Sequence, residues 1–403
     1  MNDTMRVVVT GLGAISPCGP DTRALHQGVM DCTSTTAPVR TVSIGELGRT
    51  LACEVPESAE AASGYAALAG LGRAARFGVI ACREALADAG LADPPPGMLV
   101  ALGSALGDVD ELERIGKLQH APGGDGRVST LLVARHSPPA LPTMLARALG
   151  LQGVRSLHVF NACASSAGAI ALGFEEIRRG RVERALVGGY EAFSRIVFSA
   201  FVRLGAVAPE RCQPFDLDRK GLMYGEGAGA LVIESLASAR RRGARIHAEL
   251  TGYGLSCDAN HMTAPHVRGM SAAIRSALRM AGIGPDQVDY FGAHGTATQA
   301  NDLTEARAIH EVFGARARTL PVSSIKGVIG HSHGAANVHH VIATVLSMGE
   351  GRVPPTANHE RMDPECALDC VPNRPREVTV RDALVNAAGF GGNNACLALR
   401  RWQ

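Results

Sequence analysis

The chain has 403 residues, 46% of them hydrophobic and 4% aromatic, with 47 Gly and a formal net charge of +2. That length exceeds what one hydrophobic core usually organises, so two domains or two fused halves of a tightly packed α/β protein are expected. A phosphate-tracking surface needs a marked basic excess, which excludes nucleic-acid binding, and no apolar run approaches the roughly 20 residues of a membrane span. The ten Cys lie scattered, and Met1 to Arg6 leads straight into a strand with no signal peptide, so the chain reads as cytoplasmic with reduced thiols. Its basic residues are nearly all Arg; Lys occurs only at Lys117, Lys220 and Lys326.

In chain order, Arg6-Val-Val-Val-Thr-Gly-Leu-Gly reads as a strand ending in a glycine turn, Phe77 to Ala89 as a helix, and Leu99 to Gly103 as a buried strand. An apolar run then breaks into small residues, Phe160-Asn-Ala-Cys-Ala-Ser-Ser, which open a helix just after Cys163. Unpaired N–H groups and the positive dipole end favour thiolate there. A downward shift of about 1.5 units, roughly 2 kcal/mol, would leave a free thiol half ionised at pH 7. A small buried Cys is the competing reading.

Residues 237–247 read as a helix end and turn, with the Arg240 to Arg242 cluster on a solvated face. Beyond them the chain repeats itself. Ala248-Glu-Leu-Thr-Gly-Tyr-Gly matches the first strand, Gly269 to Ala281 the first helix, Val288 to Gly292 the second strand, and His331 to Ile342 the small-residue helix that follows Cys163. Two similar halves, 1–245 and 246–403, are expected, built from right-handed βαβ units with mostly parallel sheets. Helices this rich in Ala and Gly suit a layer buried between two sheets, which would bring Cys163 and His331 together.

The second half carries two Gly-flanked histidines, His294 and His331, and the rare Lys326, all after predicted strands. Ligands bind at the C-terminal ends of parallel strands, and Gly lets a substrate approach the backbone closely. Phe390 stands among Gly389, Gly391 and Gly392; its N–H and that of Cys163 could form an oxyanion hole at about 3 kcal/mol per donor. A simple tight turn is the alternative.

The set Asn161-Ala-Cys-Ala-Ser-Ser, Gln213 to Gly229, Ala293-His-Gly-Thr-Ala-Thr, Lys326 to Ala336 and Gly389-Phe-Gly-Gly-Asn resembles the β-ketoacyl-ACP synthase family of elongating condensing enzymes, from Val7 to the C-terminus. The resemblance implies the thiolase fold, a five-layered α-β-α-β-α arrangement of two duplicated halves, and a dimer. It implies that Cys163 takes an acyl chain from the phosphopantetheine arm of an acyl carrier protein, and that His294 and His331 stabilise the enolate formed as malonyl carrier protein loses carbon dioxide. Lys326 would support His294, Thr296 and Thr298 would hydrogen-bond the pantetheine arm, and Phe390 would gate access. No metal or redox cofactor is implied. Leu106 and Phe198 fall near the family's acyl-pocket positions.

Three departures stand out: Ala297 and Asn337 where the family has Gly, and His340 where it has a Glu beside the active-site Lys, leaving Asp302 or Glu305 to carry that role. They favour a type II polyketide synthase subunit over a housekeeping fatty acid enzyme. Such a catalytic subunit forms a homodimer or pairs with a chain-length-factor homologue. A catalytically silent scaffold or length-determining subunit is the reading from another class, and intact Cys163, His294, Lys326 and His331 speak against it. A CoA-primed synthase fits the paired His-Gly motifs less well. The near dinucleotide fingerprint from Val9 to Ser16 lacks its third glycine. A metal reading of His331, His333, His339 and His340 finds no carboxylate or Cys to complete the ligand set. Arg73, Arg76 and Arg203 are candidates for a basic rim facing an acidic carrier protein.

Overall fold

A computed structural model describes residues 5–45, 47–92, 96–120, 127–130, 132–133 and 140–403. The first half contributes β1 (Val7–Ile15), α1 (Arg73–Asp88), β2 (Leu99–Gly103), β3 (Arg155–Val159), α2 (Ser165–Arg178), β4 (Arg184–Glu191), α3 (Arg195–Arg203) and β5 (Gly227–Ser235). The second contributes β6 (Ala248–Cys257), α4 (Val267–Ala281), β7 (Tyr290–Gly292), α5 (Gln299–Phe313), β8 (Val322–Ser323), α6 (Ala336–Glu350), β9 (Asp382–Gly389) and β10 (Asn393–Arg401). These ten strands form one sheet in the order β8-β7-β9-β10-β6-β1-β5-β4-β2-β3.

Read outward from its centre, that order is the same topology twice. β1 and β6 pair antiparallel through Val7 to Leu250, Val8 to Glu249 and Val9 to Ala248, and each half continues outward with identical strand directions. The sheet is mixed, which corrects the expectation of mostly parallel pairing: four contacts are parallel, β2 with β3 and β4, β7 with β8 and β9, and five are antiparallel. The cause is visible at Phe390–Gly392, a turn too short for the crossover a parallel neighbour requires.

Alternation along the strands sorts side chains into three cores. Leu99 and Ala101 face a central core with α2 and α6; Val100 and Leu102 face an outer core with α1; Phe291 and Leu384 face another with α4 and α5. The two halves of the one sheet thus lie on either side of the central helices, giving layers of helix, half-sheet, helix, half-sheet and helix. The repeated Thr-Gly-x-Gly is explained by the outer helices, not by a turn, since both strands run on through it. A Cβ on Gly11 or Gly13 would strike the α1 backbone at Ala85 or Ala81, and one on Gly254 or Gly252 the α4 backbone at Ala273 or Ala281. Both glycine pairs are thus packing positions, which removes the physical basis of the dinucleotide reading.

Candidate active site

Cys163 lies between β3 and α2, at the inner end of the central helical layer, after Ala162 at φ 46°. His331 is tied to the segment before β5: its N–H donates to Met223 O at 2.7 Å and its carbonyl accepts from Gly225 N–H at 2.9 Å. The result is a Cys163 Sγ to His331 Nε2 distance of 3.1 Å across 168 residues of sequence. The His294 ring stands 5.2 Å from that of His331, centroid to centroid. Cys163, His294, His331, Thr296, Thr298 and Phe390 all line one cavity of about 360 Å³.

Two carboxylates three residues apart on α5 shape the loop that carries His294. Glu305 accepts from the N–H groups of His294 and Gly295 and from Asn386 Nδ2, each at 2.7 Å. Asp302 accepts from Thr296 N–H at 3.0 Å, Ala297 N–H at 3.1 Å, Phe215 N–H at 2.7 Å and Asn301 Nδ2 at 3.0 Å. Lys326 Nζ donates to the His294 carbonyl. The loop is held from both sides, and Ala297 is held at φ 65°, a left-handed conformation that costs an alanine about 1 kcal/mol and that glycine adopts freely.

Burial sets the electrostatics. It holds the His294 and His331 imidazoles well below their ordinary range, with the Lys326 charge pressing the same way. It also lowers Lys326, which the Glu305 carboxylate pulls back up, and it raises both Glu305 and Asp302. Against the expectation drawn from the helix end, burial pushes the Cys163 thiol up to about 12; the Lys326 charge and the N–H groups of Phe390 and of Cys163 itself, which face the sulfur, pull it down. At rest the pair is a thiol beside a neutral imidazole. Alkylation of Cys163 by iodoacetamide should therefore accelerate steadily from pH 6 to 9, because the thiolate fraction grows with pH. A rate already level below pH 7 would contradict this.

His340 donates to or accepts from Tyr290 Oη at 3.0 Å through Nε2, and burial with the Lys326 charge brings it down to about 3. It is thus a neutral imidazole where the family places a carboxylate, and Glu305 is the carboxylate acting most strongly on Lys326. Leu106 is half-buried beside Ser104, its N–H donating to Ser104 Oγ at 3.2 Å, outside the cavity wall. Phe198 is fully buried with Phe193 and Tyr224; Phe201, three residues on along α3, reaches the cavity instead.

Arg73 does not belong to a surface rim: it pairs with Glu226 at 2.5 Å and Glu60 at 2.6 Å, its side chain 14% exposed. Arg76 is engaged by the Leu71 carbonyl at 2.8 Å, whereas Arg203 is exposed. Lys220, which sequence reasoning passed over, is exposed and lines the cavity. Glu191 was also missed. Fully buried and raised to about 7 by burial, it accepts from Ser104 Oγ and Ala105 N–H at 2.8 Å and Gly334 N–H at 3.0 Å, tying the loops around Cys163 and His331. Its one signal was a charge closing the apolar run Ala185 to Tyr190.

Comparison with known proteins places this architecture. Residues 4–239 match the model of the β-ketoacyl synthase N-terminal domain, and residues 247–360 that of the β-ketoacyl synthase C-terminal domain. The chain is 38% identical over 400 residues to nodulation protein E of Rhizobium meliloti (strain 1021), covering 98% of this chain and 99% of that one. It is 35% identical over 422 residues to 3-oxoacyl-[acyl-carrier-protein] synthase 2 of Staphylococcus aureus (strain MRSA252), covering all of both. A solved structure titled "The ishigamide ketosynthase/chain length factor" superposes with a TM-score of 0.95 at 40% identity, over 99% of this chain and 100% of that one.

The duplicated, five-layered architecture is the thiolase fold. The chain belongs to the β-ketoacyl synthase family. It is a ketosynthase of the type II fatty acid and polyketide kind, an acyltransferase that catalyses condensation. Among the described residues, no helix is long and apolar enough to cross a membrane.

Proposed function

We propose that this chain is the catalytic ketosynthase of a type II polyketide pathway, joining an acyl thioester on Cys163 to a malonyl unit borne by an acyl carrier protein. The observation that carries the reading is the 3.1 Å pairing of Cys163 Sγ with His331 Nε2 on the wall of a cavity shared with His294. A silent length-determining subunit has no use for that pair. The 40% identity to a ketosynthase/chain-length-factor structure favours a polyketide role over fatty acid elongation.

In the first half-reaction the thiol proton passes to His331 Nε2 as the sulfur attacks the acyl carbonyl, and the departing pantetheine thiolate takes that proton up. In the second, the malonyl carboxylate leaves as carbon dioxide, and its electron pair becomes an enolate whose oxygen sits between His294 and His331. The enolate carbon attacks the Cys163 thioester; the N–H groups of Cys163 and Phe390 hold the tetrahedral oxyanion until the C–S bond breaks, and the Cys163 thiolate then takes up one proton from solvent. Thr296 and Thr298 on the cavity wall would receive the pantetheine arm. Decarboxylation drives the bond formation, so the chemistry calls for no metal or redox cofactor.

His340 would tune the decarboxylation step by leaving Lys326 with Glu305 as its main carboxylate. In His340→Glu a second carboxylate beside the ammonium should raise the Lys326 pKa and move the basic limb of the decarboxylation profile upward. Unchanged decarboxylation and condensation rates across pH would reject this role.

Lys220 and Arg203, both exposed, would form the basic rim for the carrier protein. Reversing both to Glu should raise KM for malonyl carrier protein about tenfold, or about 1.4 kcal/mol, without affecting a small malonyl thioester. Equal effects on both substrates would refute the assignment. For the subunit question, β3 is one of the two edges of the sheet, with Leu157 41% and Phe160 50% exposed at it, a surface suited to a homodimer or a homologous partner. Co-purification from the native operon should recover a carrier protein and either a second copy or a homologue. Turnover with fatty acyl primers alone would favour the fatty acid reading.

A further inference from the structure

We propose that Cys163, His331 and His333 form a binding site for a zinc-like divalent cation that reversibly blocks the nucleophile. The sulfur and one ring nitrogen from each histidine lie within 4.8 Å of one another, the one such group of His, Cys, Asp or Glu among the described residues. The condensation chemistry employs Cys163, His331 and His294 and leaves His333 without a part, yet His333 is 2% exposed and its Nε2 has no hydrogen-bond partner.

His333 is also held away from its expected place on the following helix. It belongs to the turn His333–Ala335, before α6 begins, at φ 40°, a left-handed conformation that L side chains adopt at a cost. Its ring is fixed by aromatic neighbours, with centroids 4.4 Å from Tyr224, 5.1 Å from Phe201 and 4.7 Å from His331. The other two histidines of that segment are committed elsewhere: His339 to Ser332 Oγ and the Ala228 carbonyl, His340 to Tyr290. Cys163 joins the two histidines from the opposite half of the chain, so no local spacing marks the set.

A thiolate with two imidazoles is a donor set for a borderline-soft cation of tetrahedral habit, the fourth position open to water. Calcium and magnesium need oxygen ligands, and the group has none. Burial keeps both imidazoles neutral, so each has a lone pair to give. Binding replaces the thiol proton: one S–H bond breaks, one S–metal bond forms, one proton leaves to solvent, and no oxidation state changes. The sulfur lone pair that would attack a thioester is then engaged.

Metal binding stands on geometry alone; its effect on turnover rests on the role proposed for Cys163. The test titrates the full-length protein with Co²⁺ and with Zn²⁺. Co²⁺ should bind at one equivalent, give the near-ultraviolet sulfur-to-cobalt absorption of a thiolate ligand, release one proton and protect Cys163 from iodoacetamide, and Zn²⁺ should displace it. Cys163→Ser should lose the absorption. His333→Asn, which tolerates the left-handed backbone, and His333→Leu should each bind at least about tenfold more weakly, with folding checked by melting curves. Undiminished affinity in a folded His333 variant, or thiolate absorption that survives Cys163→Ser, would overturn the site. Binding with these signatures in a protein that condenses nothing would leave the site standing and reject the acyl-carrier role of Cys163.

Discussion

His331→Ala and His294→Ala should each slow decarboxylation of malonyl carrier protein by about 10²–10⁴-fold, the range expected when a positioned acid–base or oxyanion group is removed. Both imidazoles are buried and held neutral, and their rings stand 5.2 Å apart on the cavity wall, so an enolate oxygen between them loses one of two donors in either variant. His331→Ala should also impair acyl loading, because its Nε2 is the group 3.1 Å from the sulfur; His294→Ala should spare loading. Cys163→Ala should separate the steps differently: no condensation, but carbon dioxide still released, since neither His is touched. Carbon dioxide release and acyl transfer measured in parallel decide this, and equal loss of both in all three variants would contradict the division of labour.

Asp302→Ala should destabilise the protein by about 4 kcal/mol or more. The fully buried carboxylate is the shared acceptor for the N–H groups of Thr296, Ala297 and Phe215 and for Asn301 Nδ2. Each buried donor left without a partner costs about 1–3 kcal/mol, and Ala297 loses the anchor of its strained φ. The variant that folds should have a disordered His294 loop and a depressed kcat. Urea unfolding checks the figure; a loss under about 1 kcal/mol would mean that water replaces the carboxylate freely.

Much of this was legible in the sequence. The repeat of Thr-Gly-x-Gly gave away β1 and β6, and His294 does follow the end of β7, whereas His331 lies beyond the short helix Lys326–Ile329 that separates it from β8. The purpose of Gly11 and Gly13 was not legible, because it depends on how closely α1 crosses the strand. Strand direction failed for a similar reason: β5 pairs on both sides, and β10 on one, with partners distant in sequence that local patterning does not report. The Cys163 thiol is the sharpest case. A helix end is visible locally and argues for thiolate, whereas burial is a tertiary property and outweighs it. Ala297 stood out in the sequence only as a departure from the family's Gly, and the left-handed φ of 65° that makes Gly the easier residue there is a property of the folded loop. Glu191 sat in no motif and escaped notice, although it joins three segments around the nucleophile.

Intact-protein mass spectrometry after incubation with an acyl carrier protein thioester tests the central claim, that Cys163 carries the growing chain. The account predicts a mass increase equal to one acyl group, mapped to Cys163 by peptide analysis, absent in Cys163→Ala and discharged on adding malonyl carrier protein. No adduct on the wild-type protein, or an adduct on another of the ten cysteines, would contradict it.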